Sequence, residues 1–426
     1  MKKIILIIIL MFSSEFAKSQ GTYYPPKNSK DWDTLAPGQL GWDVTKIPDL
    51  YSFLGKSKTK AFILLKDGKI VLEKYYGTFV QDSLWYWASA GKTITSYLIG
   101  KAQEDGFLKI EDKTSKYLGK GWTSLTEEKE DLITIRNQLT MTTGFDDKVP
   151  DNHCALPSCL VYKSDAGTRW AYHNAPYTLL DSILEIATGK NINVLTQSTL
   201  KSKIGMGGFW YKIDYDNVYF STARDMARYG IFISNNCNWD GTLIFSDENY
   251  KSNMVNTSQN INLSYGYLWW LNGKESFMIP QTQFKFNGPL SPNAPADMYA
   301  AVGKNGQILS IASKEGLIFV RMGEDPSEQS EISITLCNEI WNKINKITLG
   351  GNLVKEKGFE LKVYPNPFED KINIQNIEKY VIIYNIFGQK VMEIKEDLPE
   401  IIDLSYLLPG IYYLKDNKSL IKLVKL

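Results

Sequence analysis

Strand-like sequence on both sides of a long helical stretch is the feature that most constrains this chain. Ala61-Phe62-Ile63-Leu64-Leu65 and Ile70-Val71-Leu72 flank an Asp67-Gly68 turn, which predicts a β-hairpin over residues 60–76. A second hairpin is predicted from residues 307–312 and 317–321, turned at Lys314-Glu315-Gly316. Between the two, the apolar spacing is largely helical. Residues 175–189 put Leu179, Leu180, Ile183, Ile186 and Ala187 on one face, with Gly189 as the stop. Residues 221–233 turn Met226, Tyr229 and Gly230 inward and leave Arg224, Asp225 and Arg228 on the polar side. Residues 265–270 read as another strand and 330–347 as a closing helix. Strands at both ends of a helical insert imply one sheet built from both ends, with a helical lobe beside it. The expected class is α+β: an antiparallel sheet flanked by helices, a mainly helical lobe, and a small all-β C-terminal module. A cleft between sheet and lobe is the expected place for a site.

Residues 1–20 read as an export signal. Lys2 and Lys3 precede an apolar run from Ile4 to Phe12, too short to span a bilayer, and Ala17-Lys18-Ser19 suits cleavage. No cysteine follows that run, which argues against a lipid anchor. Residues 21–50 are polar, with Pro25-Pro26, and read as a leader packed on the surface of a domain spanning 21–350. Composition shifts after Gly350-Gly351. Residues 355–426 alternate short β-type runs with turns at Gly388, Pro409-Gly410 and Asp416-Asn417, the pattern of a separable module. With 48 basic and 47 acidic residues, the chain has no electrostatic case for nucleic acid. Cys154, Cys159, Cys237 and Cys337 can pair after export. Three connectivities exist, and Cys154–Cys159, across a short loop holding Pro157, is favoured. His153 beside Cys154 raises a zinc reading, but no four-ligand spacing appears, so neither metal nor cofactor is expected.

Ser-x-x-Lys occurs four times: Ser57/Lys60, Ser89/Lys92, Ser198/Lys201 and Ser419/Lys422. Context selects Ser89. Aromatic sequence, Leu84-Trp85-Tyr86-Trp87, precedes it, and Ile94, Tyr97, Leu98 and Ala102 follow at helical spacing. A serine on the first turn of a buried helix has a lysine three residues on beside its hydroxyl. The helix N-terminus also offers N–H groups to a developing oxyanion. A hydroxyl needs a base within reach, and a buried lysine can act as one when burial disfavours its charged form. Tyr172-His173-Asn174 follows at the mouth of a strong helix. Tyr172 would share the serine's proton, and Asn174 would hold Lys92 and bind substrate. Tyr215-Asp216-Asn217 fits the same Tyr-x-Asn pattern. Lys304-Asn305-Gly306 precedes a strand expected to edge the cleft. There Gly306 would admit substrate close to the backbone, and the N–H of Gln307 would complete an oxyanion hole with that of Ser89. Lys66-Asp67-Gly68 and Lys314-Glu315-Gly316 share the Lys-x-Gly pattern but read as hairpin tips. With two histidines and no Gly-x-Ser-x-Gly elbow, an α/β-hydrolase triad is disfavoured. His173 reads as a variable middle residue.

In this order and at these separations, the three motifs resemble the serine β-lactamase and penicillin-binding-protein superfamily over residues 60–347. The similarity is greatest to its class C-like esterase and amide-hydrolase branch. Leu139-Thr140-Met141-Thr142-Thr143-Gly144-Phe145, the run from Ser221 to Gly230, and Tyr265-Gly266-Tyr267-Leu268-Trp269-Trp270 resemble landmarks of that branch. The resemblance implies an acyl-enzyme on Ser89, with Lys92 and Tyr172 as general base and acid. It implies substrate contacts from Asn174, Lys304, Gly306 and Gln307. Asn305 stands where β-lactamases carry threonine, and Gln307 where a small hydroxyl residue is common. Both departures point away from antibiotics, and the Gly-x-x-Gly-Gln arrangement of Gly303 to Gln307 resembles the esterase and oligoamide-hydrolase members, which implies a small ester or amide. A D-alanyl-D-alanine peptidase or β-lactamase is the alternative, and a catalytically silent surface or binding protein is a third reading. The tail, with Val363-Tyr364-Pro365-Asn366-Pro367-Phe368, Tyr384-Asn385-Ile386-Phe387-Gly388-Gln389 and Pro409-Gly410-Ile411-Tyr412-Tyr413, resembles the C-terminal sorting domain of type IX secretion. That implies the type IX machinery as partner and a secreted or cell-surface protein.

Overall fold

Apolar runs without alternation give strands buried on both faces, and three such runs build the centre of this protein. They are β1 (Thr59–Lys66), β8 (Gln307–Ala312) and β9 (Leu317–Gly323). The computed structural model describes residues 21–324, 333–349, 361–375, 380–385, 389–395, 399–416 and 420–426. They divide into two compact units at residues 352/353. The export signal at 1–20, Ser419, and the turn residues Gly388 and Asn417 lie outside the described residues.

In the first unit, β1 turns through Asp67 and Gly68, both at positive φ (49° and 84°), into β2 (Lys69–Tyr75). That is the backbone a two-residue hairpin requires. The chain then runs through β3 (Trp85–Tyr86), α2 (Lys92–Glu104), α3 (Asn174–Thr188), β4 (Phe209–Ile213), β5 (Asp216–Ser221), α4 (Ala223–Ser234), β6 (Trp270–Leu271) and β7 (Tyr299–Gly303) to β8 and β9. The main sheet has the order β2-β1-β9-β8-β7-β6, antiparallel throughout. Pairing of Ile63 with Val320 joins the two ends of the sequence, as the strand distribution predicts.

Helices cover both faces of the sheet. On α4, a Cβ at Gly230 would lie 2.8 Å from Leu309 and 2.9 Å from Ile318, so only glycine lets this helix approach so closely. On the opposite face, α5 (Ile334–Thr348) sinks Trp341, whose indole N–H donates to Ser310 Oγ at 2.9 Å. The first helix, α1 (Ile47–Lys56), was not evident in the leader; it buries Leu50 and Leu54 completely. Trp32 is also buried, and Arg228, expected on a polar face, is 5% exposed. Arg228 donates to the carbonyls of Pro25, Pro26, Ser29 and Ile204, tying the leader into the fold.

Two further expectations need correction. Beyond its first turn, α3 buries Tyr177, Thr178, Leu180, Asp181, Ile183 and Leu184, whereas Ile186 is 56% exposed. The polar Asp181 belongs to the inner face, and its inclusion rotates the stripe. Residues 265–270 form a tight loop rather than a strand: Leu268 takes φ 63°, and Gly266 N–H donates to Trp269 O. Of that segment only Trp270 enters the sheet.

The second unit contains two small antiparallel sheets. One has the order Lys362–Tyr364, Lys371–Gln375, Ile401–Asp403. The other has the order Lys390–Ile394, Val381–Asn385, Gly410–Lys415, Leu420–Lys425. Phe368, Ile372, Ile383, Leu404, Leu414 and Leu423 form its own core.

Candidate active site

The turn before α2 presents Ser89. Trp87 is fully buried, its indole N–H donating to Ser221 Oγ at 2.8 Å and its backbone N–H to Tyr219 O at 2.8 Å. Ala88 then takes φ 46°, a conformation costly for a residue with a Cβ and typical of functional turns. A single 3-10 turn, Ala88–Gly91, leads into α2 and leaves Ser89 half-buried at its start.

Lys92 follows on the first turn of α2 and is 4% exposed. Its Nζ lies 2.9 Å from Ser89 Oγ and 2.9 Å from Asn174 Oδ1. Nζ also sits 4.1 Å from the centre of the Tyr177 ring and 5.4 Å from that of Tyr172. Tyr172 is buried, stacked on Trp270 at 5.7 Å, with Tyr265 edge-on to Trp270.

Asn174 opens α3. Its Nδ2 lies 3.3 Å from Asn152 Oδ1 and 3.1 Å from His153 Nε2. The other ring nitrogen of His153 is 2.5 Å from Asp216 Oδ2, and Thr178 donates to Asp216 Oδ1 at 2.7 Å. Burial raises the Asp216 carboxyl, but the hydrogen bonds from His153 and Thr178 outweigh it and hold it below the usual range. Deeper on α3, Asp181 accepts from Thr95 Oγ1 at 3.1 Å and Asn217 Nδ2 at 3.0 Å. Burial dominates there and pushes this carboxyl up to about 7.

One open cavity is lined by Ser89, Lys92, Tyr172, Asn174 and Lys304, together with His153, Tyr177, Asp216, Asn217 and Val218. Five of the seven expected site residues thus meet. Gly306 and Gln307 do not. Residues Lys304–Gly306 form a turn, and β8, which follows it, is an interior strand between β7 and β9. A Cβ at Gly306 would meet Arg321 Nη1 at 2.3 Å, because Arg321 fills that space and donates to the carbonyls of Asn305 and Gly306. Gln307 is fully buried and exchanges hydrogen bonds with the backbone of Gly323. The close approach to Ser89 belongs to Gly303 at the end of β7. A Cβ there would lie 2.4 Å from Trp87 O and 3.0 Å from Ser89 N.

His173 is 1% exposed, edge-on to Phe145, and neither ring nitrogen has a hydrogen-bond partner among the described residues. Burial lowers it to about 4, so it is neutral at pH 7. Cys154 and Cys159 are disulfide-bonded, whereas Cys237 and Cys337 are buried free thiols. Among the described residues, no group of three His, Cys, Asp or Glu is placed to hold a metal ion. The sequence offers His153 as a metal ligand or triad histidine, and Asp216-Asn217 as part of a rival motif, with no signal that they meet Asn174. That rival Tyr-x-Asn match was the one signal for β5.

Residues 55–323 match the Beta-lactamase family, and residues 362–425 match the secretion system C-terminal sorting domain. An uncharacterized protein of Alkalihalophilus pseudofirmus is 23% identical over 320 residues, covering 66% of this chain and 86% of that protein. Two of the solved structures that share the fold illustrate it. One is a provisionally assigned 6-aminohexanoate-dimer hydrolase from Bacillus anthracis (TM-score 0.57, 17% identity, 75% of this chain and 88% of that one). The other is a penicillin-binding protein homologue from Caulobacter crescentus (TM-score 0.52, 13% identity, 69% and 94%). The sorting domain marks the chain for the type IX secretion system, hence for the cell surface or the medium.

Proposed function

The chain belongs to the beta-lactamase family, and from that premise we propose that it is an exported serine hydrolase cleaving a small ester or amide through an acyl-enzyme. The observation that carries this reading is the Ser89–Lys92–Asn174 contact set, 2.9 Å on each side of the Lys92 amine.

Ser89 Oγ attacks the acyl carbonyl as its proton passes to Lys92 Nζ. The oxyanion forms against the Ser89 N–H, and the backbone after Gly303, at Lys304, supplies the second donor in place of Gln307. Tyr172 gives its phenolic proton to the leaving group, which departs as alcohol or amine, and regains a proton from Lys92. Water then attacks the ester carbon, gives its proton to the same base, and frees Ser89 and a carboxylic acid.

Support for a small ester or amide comes from the strand pair that carries Val218 to the cavity. Val218 lines the cavity, and its register partner on β4 is Tyr211, 58% exposed. Phe220 stacks on Phe209 at 5.7 Å on the same strand pair, and Tyr86 lies edge-on to Phe220. An aryl or alkyl flank suits such a wall. The B. anthracis neighbour, named for an amide hydrolase, agrees with this choice. Lys304 at the cavity supports the second reading, a peptidoglycan-type or β-lactam substrate with a carboxylate.

The test is hydrolysis of 4-nitrophenyl acetate and butyrate by the purified chain and by Ser89→Ala. Turnover abolished by the substitution supports the reading. A wild-type rate no faster than that of Ser89→Ala overturns it and leaves a silent binding protein. Stable acylation by penicillin, without ester turnover, moves the assignment to the second reading.

A further inference from the structure

We infer that His153 is a positioning residue for the Ser89 chemistry, fixing which end of the Asn174 side-chain amide faces Lys92. The inference rests on the hydrolase reading above.

An asparagine amide has nearly the same shape turned either way, but one end accepts hydrogen bonds and the other only donates. Asn174 serves Lys92 only with its oxygen toward Nζ. Turned over, it would aim an NH2 group at Nζ and forfeit the hydrogen bond that Oδ1 accepts from it. The far end of the amide sets how firmly that orientation is held. Two acceptors hold it: Asn152 Oδ1 at 3.3 Å and His153 Nε2 at 3.1 Å.

His153 can accept at Nε2 only as the neutral tautomer protonated on Nδ1. Asp216 selects that tautomer. Its Oδ2 lies 2.5 Å from Nδ1, and an ionised carboxylate can accept but not donate. Asp216 is itself oriented by Thr178, on the same helix as Asn174. Donors and acceptors alternate without conflict from Thr178 and Asp216 through His153 and Asn174 to Lys92.

The loop carrying His153 is built for this task. His153 N–H donates to Asp151 Oδ1 at 2.9 Å, and Cys154, the next residue, is bridged to Cys159. Asn152 O accepts from Ala175 N–H at 2.9 Å, docking the loop on the first turn of α3. The His153 side chain remains 49% exposed at the cavity, so its substitution leaves the core intact.

The test compares His153→Leu, His153→Gln and Asn174→Ala, alone and combined, in the full chain with a nitrophenyl ester and a fluorophosphonate probe. Loss of amide orientation should lower kcat about 10–100-fold, with KM changed less than about threefold. His153→Gln, whose Oε1 can accept from Asn174, should recover much of the loss. In an Asn174→Ala background, His153→Leu should cost nothing further, because its route of action is gone. His153→Ala serves the same comparison if His153→Leu does not fold. An unchanged kcat in a folded His153→Leu, or an equal loss in the Asn174→Ala background, overturns the inference. A wild-type chain that never labels at Ser89 overturns the hydrolase reading instead.

Discussion

Asp181→Asn should stabilise this protein at alkaline pH and remove one component of its pH dependence. The Asp181 side chain is 2% exposed. Burial raises its carboxyl from 3.8 to about 7, against the hydrogen bonds from Asn217 and Thr95. In the unfolded chain the same group loses its proton near pH 4. Between about pH 4 and 7 the unfolded state has released a proton that the folded state still holds, so stability falls as pH rises. At 1.36 kcal/mol per pH unit, the full loss is about 4 kcal/mol by pH 8. Asparagine resembles the protonated acid: its oxygen can accept from Asn217 and its NH2 can donate to the Thr95 hydroxyl. It titrates in neither state. Denaturant unfolding of wild type and variant at pH 4.5, 6 and 8 reads the difference directly. The variant should gain several kcal/mol relative to wild type from the lowest pH to the highest. Parallel pH profiles would refute the argument that this carboxyl is buried neutral.

Lys92→Ala should lower ester turnover about 10²–10⁴-fold with an unchanged circular dichroism spectrum, and Tyr172→Phe should cost less, as expected for acid–base groups. Gly306→Ala should destabilise the protein by about 1–3 kcal/mol in thermal unfolding, because φ is +74° and the new Cβ would meet Arg321. Deleting residues 353–426, which have their own core, should leave ester hydrolysis intact and abolish appearance of the protein outside the cell.

Where side chains meet through regular geometry, the sequence is informative. The Asp67-Gly68 hairpin, the buried runs of β1, β8 and β9, and the three-residue spacing from Ser89 to Lys92 all follow from local periodicity. Tertiary packing overrides composition elsewhere. The aromatic run 265–270 has strand composition, yet a positive φ at Leu268 folds it into a loop that packs Tyr265 against Tyr172. Lys304-Asn305-Gly306 has the expected residue types, but Arg321, on the neighbouring strand β9, claims the space over Gly306. Gly303 makes the approach to Ser89 instead. His153, Asp216 and Asn217 carry no periodic signal, since only the docking of a disulfide loop and β5 on α3 brings them to Asn174 and Asp181.

If Ser89 is an activated nucleophile, mass spectrometry of the purified chain after exposure to a fluorophosphonate probe reveals it. One phosphonyl group on the peptide containing Ser89, absent in Lys92→Ala and in Ser89→Ala, is the predicted result. A folded wild-type protein left unmodified at Ser89, or modified on another serine, would contradict the account.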